Sequence, residues 1–128
     1  IMRMQKTFRD MVKKEGTFIA PDDFSEVIDN GKAFIDPGVK MGEGWLLTGE
    51  VVSLIKSGVT NVISAQPFGC LPNHIVAKGM VRKIKDEYPK ANIVAIDYDP
   101  SASKVNQENR IRLMLANAKL SEEMKASV

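Results

Sequence analysis

Residues 59–74 read VTNVISAQPFGCLPNH, and they join a short β-branched run to a loop that contains the only cysteine of the chain. The run 59–65 lies between Gly58 and Pro67, which is typical of a buried strand. A second apolar run, NIVAI at 92–96, has the same character, and the residues between the two runs have the apolar spacing of a helix. Two apolar strands joined by a helix of this length are expected to lie parallel. The sequence therefore predicts an α/β fold.

Helical patterns occur on both sides of this unit. Apolar residues repeat at helical spacing in four segments besides the one that connects the two strands. The sequence therefore predicts five helices, at residues 4–15, 21–30, 45–56, 75–88 (the connecting segment) and 102–118. Near-continuous apolar strands are typical of a sheet that is covered on both faces. We therefore predict a parallel sheet flanked by helices. The predicted organisation is a helical lead-in at 1–40, a βαβ-containing α/β domain at 41–120 and a tail at 121–128.

A sheet of only two strands would leave two unpaired edges, and isolated two-stranded sheets are marginally stable. Either residues 17–20 and 33–36 add short strands, or the missing strands belong to a longer protein or to a partner chain. The sequence starts at Ile1 instead of an initiating methionine. We expect a fragment of a larger α/β protein.

The composition excludes several classes of protein. The 128 residues carry a formal net charge of +2 with acidic and basic residues mixed along the chain, which gives no reason to expect nucleic acid or a membrane as partner. No apolar run approaches the roughly 20 residues that a membrane-spanning helix needs. One cysteine allows no intrachain disulfide, so we predict a cytoplasmic location.

The loops that follow the two strands are the candidate functional site, because open parallel sheets bind ligands beyond the carboxyl ends of their strands. The first loop is 66–74, and the second is 97–101. Parallel neighbours place both loops at one rim of the sheet. Besides Cys70, the candidate rim residues are Gln66, Pro67, Phe68, Gly69, Pro72, Asn73, His74, Asp97, Asp99 and Ser101.

Cys70 is predicted to lie close to the N-terminus of the following helix, where backbone N–H groups favour a thiolate. A thiolate binds iron or attacks an electrophile. The alternative is a buried cysteine that acts as a small apolar side chain. Two registers remain open at this point, because Asn73 could cap the helix or Pro72 could occupy its first turn.

His74 follows Cys70 by four residues, so both side chains could share one face of a helical turn. A closed zinc site needs four ligands, and the chain offers one Cys and one His, so a self-contained zinc site is not expected. We predict that His74 hydrogen-bonds the rim; the alternative is a role in proton transfer or in supporting a ligand. Asp97 and Asp99 either hold a ribose hydroxyl or a metal, or cap the next turn.

The motifs QPFGCLPNH at 66–74 and DYDPSAS at 97–103 belong to a longer run, 42–115, that resembles the C-terminal part of acyl-CoA dehydratase activase-related proteins. These proteins are relatives of the 2-hydroxyacyl-CoA dehydratase system of anaerobic bacteria. The resemblance implies a Rossmann-like subunit that holds a [4Fe–4S] cluster through cysteines from several loops, to which an ATP-dependent activase delivers one electron. By position, Cys70 is similar to a cluster ligand.

The same resemblance defines the expected partners and cofactor. The partners would be the remainder of a longer chain or a dehydratase or activase protein, with an acyl-CoA as a possible ligand. Clusters generally need about three or four thiolates, so we expect no stable cluster in this fragment alone, and neither ATP hydrolysis nor other activity. Two alternatives remain, namely a structural or interaction domain with a buried Cys70, and a small-nucleotide or CoA-binding module that uses the helix N-termini.

Overall fold

The computed structural model describes residues 2–99 and 103–126 of the chain. Within these ranges it contains five α-helices, one π-helical segment and two β-strands. In chain order they are α1 (Met2–Glu15), α2 (Phe24–Lys32), α3 (Gly44–Lys56), β1 (Asn61–Pro67), the π-helical segment Pro72–Ala77, α4 (Lys78–Glu87), β2 (Asn92–Tyr98) and α5 (Lys104–Ala126).

The two strands pair in parallel, as the sequence predicted, and the α/β class is confirmed. The register runs from Asn61 opposite Asn92 to Pro67 opposite Tyr98. Both strands continue two residues beyond the apolar runs that predicted them. The added residues therefore bring Gln66 into register with Asp97 at the carboxyl end of the sheet.

The core lies on one face of this sheet. Val62 and Ile93 are paired across the strands and are both buried against side chains of α3 and α4. This cluster buries mainly aliphatic side chains, because the apolar stripes of two helices meet the β-branched residues of the strands. Its buried members are Phe34, Val52, Val62, Ile84, Ala91 and Ile93.

The other face of the sheet is covered at β2 only. Helix α5 packs against β2, and Ile96 is completely buried. Ala65, its partner in β1, is exposed, and Ile63 is 47% exposed. The expectation that the sheet is covered on both faces is therefore wrong for β1, because the residues that the structure describes supply no helix over this part of the sheet.

Helices α2 and α3 pack closely across the boundary that the sequence placed at residue 41. Gly49 permits this approach, since a Cβ atom there would lie 2.5 Å from the carbonyl oxygen of Val27. Asp23 and Glu26 form a capping box at the start of α2. Helix α1 buries none of its residues, and Arg9 joins it to Asp23 through a 2.7 Å ion pair.

Three segments differ from the expectations. Residues 17–20 and 33–36 form no strand. Residues 121–126, predicted as part of a tail, are the last turns of α5, because Glu122, Glu123 and Met124 are good helix formers and no glycine or proline precedes them to end the helix. No helix within the described ranges is long and apolar enough to cross a membrane.

Candidate functional site

The site begins with a pair of polar side chains at the carboxyl ends of the two strands. Gln66 is 1% exposed and donates a hydrogen bond from Nε2 to Oδ1 of Asp97, at 2.5 Å. Its own Oε1 is buried and has no donor among residues 2–99 and 103–126. The Gln66 amide is therefore oriented by the Asp97 carboxylate and by His74, whose Nε2 lies 3.5 Å from Nε2 of Gln66.

The loop after β1 leads into an unusual helix. Gly69 has a φ of +78°, which a glycine adopts without strain, and the Cys70 N–H then donates to the Pro67 carbonyl at 3.2 Å. The segment Pro72–Ala77 is π-helical, with the N–H of Lys78 bonded to the carbonyl of Asn73. Short π-helical segments are rare and frequently occur at functional sites.

This geometry decides the register that the sequence left open. Pro72 occupies the first position of the helical segment, where its missing N–H costs no hydrogen bond. Asn73 does not cap the helix; its side-chain Nδ2 lies 3.0 Å from Sγ of Cys70 and donates to it. The only thiol of the chain therefore has a buried amide as its hydrogen-bond partner.

Cys70 is half-buried at the rim, between the exposed side chains of Phe68 and Leu71 and the buried Asn73. It is not part of the aliphatic core cluster. Hydrogen bonds to sulfur are one of the means by which proteins tune thiolate ligands of metal clusters. Cys70 is thus partly exposed at the rim, and its sulfur accepts a hydrogen bond from Asn73.

His74 connects the cysteine loop to the end of β2. Its Nδ1 lies 3.0 Å from the carbonyl oxygen of Cys70, and its Nε2 lies 3.2 Å from Oδ1 of Asp97. Phe68 packs edge-on against this ring, with 6.0 Å between the centroids. Both ring nitrogens are thus engaged at the rim, as in the predicted hydrogen-bonding role, and neither is directed at a metal together with Cys70.

Asp97 has a pKa below its ordinary value of 3.8. The main cause is the hydrogen bond from Gln66, and the positive charges of His74, Lys78 and Arg110 also lower the pKa, whereas burial of the carboxyl group raises it. The carboxylate is therefore favoured in its ionised form, which is the form that accepts hydrogen bonds from Gln66 and His74.

This lowered pKa predicts a pH dependence of stability. A carboxyl group with a lower pKa in the folded state than in the unfolded state stabilises the fold when ionised. The contribution of Asp97 is complete well above pH 3.8 and is lost as the pH falls below that value through the folded-state pKa. We expect Asp97→Asn to be destabilising at neutral pH and to lose less of its remaining stability in acid than the wild type does.

Urea denaturation at a series of pH values measures this difference. The pKa values of Glu15 and Asp23 are lowered as well, but both groups are present in the two proteins and their contributions cancel. A difference in the free energy of unfolding that stays constant from neutral pH to acid would contradict the prediction.

A cleft of about 600 Å³ opens beside Asp97, between the end of β2 and the first turns of α5. Asp99 lines this cleft, whereas Ser101 falls outside the described residues. The lining combines carboxylates, side-chain amides and apolar groups: Phe68, Ile96, Asp97, Asp99, Asn106, Gln107, Asn109, Arg110 and Leu113.

Two residues of α5 contribute to the rim and were not predicted as part of it. Gln107 donates from Nε2 to the carbonyl of Asp97 at 3.2 Å, and Arg110 donates from Nη1 to the carbonyl of Ala95 at 3.0 Å. They are one helical turn apart and so face the same strand. Their spacing is visible in the sequence, but the face of α5 that meets β2 is not.

The donor set defines what the site can bind. The sequence has one cysteine and one histidine. In the described part of the chain, no group of three or more His, Cys, Asp or Glu side chains is arranged to hold a metal ion. These residues therefore do not fit a complete iron–sulfur cluster, which takes about three or four thiolates.

Comparisons of this chain with protein-family models, with curated protein sequences and with solved structures give no match.

Proposed function

We propose that this chain is the Rossmann-like C-terminal domain of a 2-hydroxyacyl-CoA dehydratase or activase-related protein, in which Cys70 contributes one ligand to an iron–sulfur site. In such a protein the site serves electron transfer or the dehydration of an acyl-CoA. The motifs at 66–74 and 97–103 support the assignment by their resemblance to that family. The observation that carries it is the position of Cys70 at the rim of a parallel sheet, outside the core and hydrogen-bonded at Sγ by Asn73.

The chain supplies one thiolate and leaves the remaining cluster ligands to another polypeptide segment. Its other rim residues have supporting tasks: Asn73 donates to the sulfur, and His74 joins the Cys70 carbonyl to Asp97. We expect these 128 residues alone to bind no stoichiometric cluster after anaerobic treatment with iron and sulfide.

The direct test is the iron content of the full-length polypeptide, expressed from its gene and purified without oxygen. We expect the brown colour and visible absorption of an iron–sulfur protein, and we expect Cys70→Ser to lose most of its iron and acid-labile sulfide. Leu71→Ser is the matched control, because it introduces the same side chain at an adjacent, exposed position.

Two outcomes would count against the proposal. Iron content that is equal in Cys70→Ser and wild type removes Cys70 from the ligand set. Loss of iron in both serine variants would show that the loop tolerates no serine, and so would assign the effect to local structure. Either result favours the alternative, an interaction domain in which Cys70 is structural. The exposed apolar side chains of Ile63 and Phe68 agree with this alternative, because they could contact a partner.

A further inference from the structure

The two edges of the sheet differ, and the hydrogen-bond pattern identifies their backbone groups. The N–H of Asn92 donates to the carbonyl of Thr60 at 2.8 Å, so the backbone of residue 92 points towards β1. Successive residues of a strand direct their N–H and C=O groups to opposite edges. Residues 93, 95 and 97 of β2 therefore face its outer edge, and residues 61, 63 and 65 of β1 face the outer edge on the opposite side.

The outer edge of β2 is closed by α5. The carbonyls of Ala95 and Asp97 both point outwards, and they accept the hydrogen bonds from Arg110 and Gln107 described above. Asn92 adds a third connection, since its Nδ2 donates to the carbonyl of Met114 at 2.9 Å. Side chains that occupy the outward carbonyls prevent another strand from pairing there.

The outer edge of β1 is open. Within residues 2–99 and 103–126, no group is hydrogen-bonded to the outward backbone of Ile63 or Ala65. The segment 59–68 contains no charged residue, although natural edge strands usually carry charges, bulges or prolines that discourage pairing. Pro67, the last residue of β1, faces this edge without an N–H, so an added strand pairs with residues 61, 63 and 65. The outer-face side chains of Ile63 and Ala65 are also exposed. This edge therefore has the backbone groups and the apolar surface that an additional strand requires.

We propose that the free edge of β1 binds a parallel strand from a β–α unit of another polypeptide segment, and that the helix of this unit covers Ile63 and Ala65. The apolar side chains on the outer face of β1 need a cover, and this favours a parallel unit. A parallel strand is connected through a helix that packs on the face of the sheet, whereas an antiparallel strand can be added without one and leaves that face in solvent. Neighbouring strands lie about 4.8 Å apart, so the loop after the added strand lies beside the Cys70 loop.

The added loop is also where a second thiolate would be supplied, and this part of the inference rests on the proposed function. The strand addition itself depends only on the edge of β1. The two are therefore tested by different measurements, one of backbone protection and one of iron.

Amide hydrogen exchange tests the strand addition. In the 128-residue chain we expect the outward amides of Ile63 and Ala65 to exchange much faster than the inward amides of Val62 and Ser64. In the full-length polypeptide expressed from its gene, we expect exchange at Ile63 and Ala65 to slow by at least about tenfold. Equal exchange rates in the two proteins would overturn the proposal.

Proline substitutions test the same edge. Ala65→Pro removes an outward N–H only, so we expect the 128-residue chain to keep its fold while the full-length protein loses the added protection at Ile63. Ser64→Pro is the matched control, because it removes a donor to β2 and should unfold the sheet. Ile63→Lys is a second variant that leaves the backbone intact; its charge should block the added unit.

The outcomes separate the two proposals. Protection of Ile63 and Ala65 in a protein whose iron does not depend on Cys70 supports the strand addition and contradicts the iron–sulfur site. Loss of iron in Cys70→Ser without protection of Ile63 and Ala65 supports the iron–sulfur site and contradicts the strand addition. If the 128-residue chain forms a dimer by light scattering and protects these amides by itself, the occupant is a second copy and the proposed β–α unit is wrong.

Discussion

Replacing Ile84 by alanine is expected to lower the free energy of unfolding by about 2–5 kcal/mol, which is a loss of about 30-fold or more in the folding equilibrium. Ile84 is 1% exposed and belongs to the cluster in which α4 meets Val62 and Ile93. The substitution removes buried methyl and methylene groups and leaves a cavity that the strands and helices can fill only in part. Urea denaturation followed by far-ultraviolet circular dichroism measures the loss.

Ile63→Ala is the matched control for this prediction. It is the same chemical change in the same sheet, but Ile63 is 47% exposed on the outer face of β1. We expect it to cost less than about 1 kcal/mol in the 128-residue chain. Equal losses in the two variants would mean that the outer face of β1 is covered as well as the inner face, and this would also contradict the exposed face that the helix of the added unit is proposed to cover.

The sequence predicted the strands because their signal is local. The β-branched run before Pro67 and the NIVAI run at 92–96 specify two short strands, and the helix between them requires a parallel pair. The prediction stopped two residues short in each strand, because Gln66 and Asp97 are polar and carry no strand signal. They lie within the sheet since they pair with each other.

The sequence predicted where the candidate residues lie in the fold, but it did not predict which of them form hydrogen bonds with one another. Parallel topology alone brings the loop 66–74 and Asp97 to one rim. The bond from Asn73 to the Cys70 sulfur depends on the π-helical segment, and the apolar spacing of residues 75–88 fits an ordinary α-helix equally well. A local register of this kind is decided by packing and not by periodicity.

The exposed face of β1 and the length of α5 show two further limits of pattern-based prediction. Continuous apolar strands indicate burial on both faces, but they do not say whether the covering helix belongs to the same chain. The end of α5 was placed too early because its apolar stripe ends near Ala118, whereas its helix-forming residues continue to Met124.

Replacing Gly49 by alanine is expected to destabilise the fold by about 1–3 kcal/mol through overpacking. Its Cβ atom would lie 2.5 Å from the Val27 carbonyl oxygen, 3.1 Å from Cγ1 of Val27 and 3.4 Å from the N–H nitrogen of Gly31. Two of these atoms belong to the backbone of α2, so relief requires a shift of α2 away from α3. Trp45 is the only tryptophan of the chain and lies against Phe24 of α2, with 6.3 Å between the ring centroids. Its fluorescence should therefore change with the displacement.

Gly79→Ala is the matched control, and the expected effect has the opposite sign. Gly79 is also helical, but a Cβ atom there meets nothing within 4 Å. The alanine should raise the free energy of unfolding by up to about 1 kcal/mol, because a helical glycine loses more backbone entropy on folding than alanine does. If the free energy of unfolding rises in both Gly49→Ala and Gly79→Ala and the Trp45 fluorescence is unchanged, α2 does not pack against α3. In that case residues 1–40 would be a separate lead-in, as the sequence alone suggested, and the packing of α2 onto the domain that carries Cys70 would be wrong.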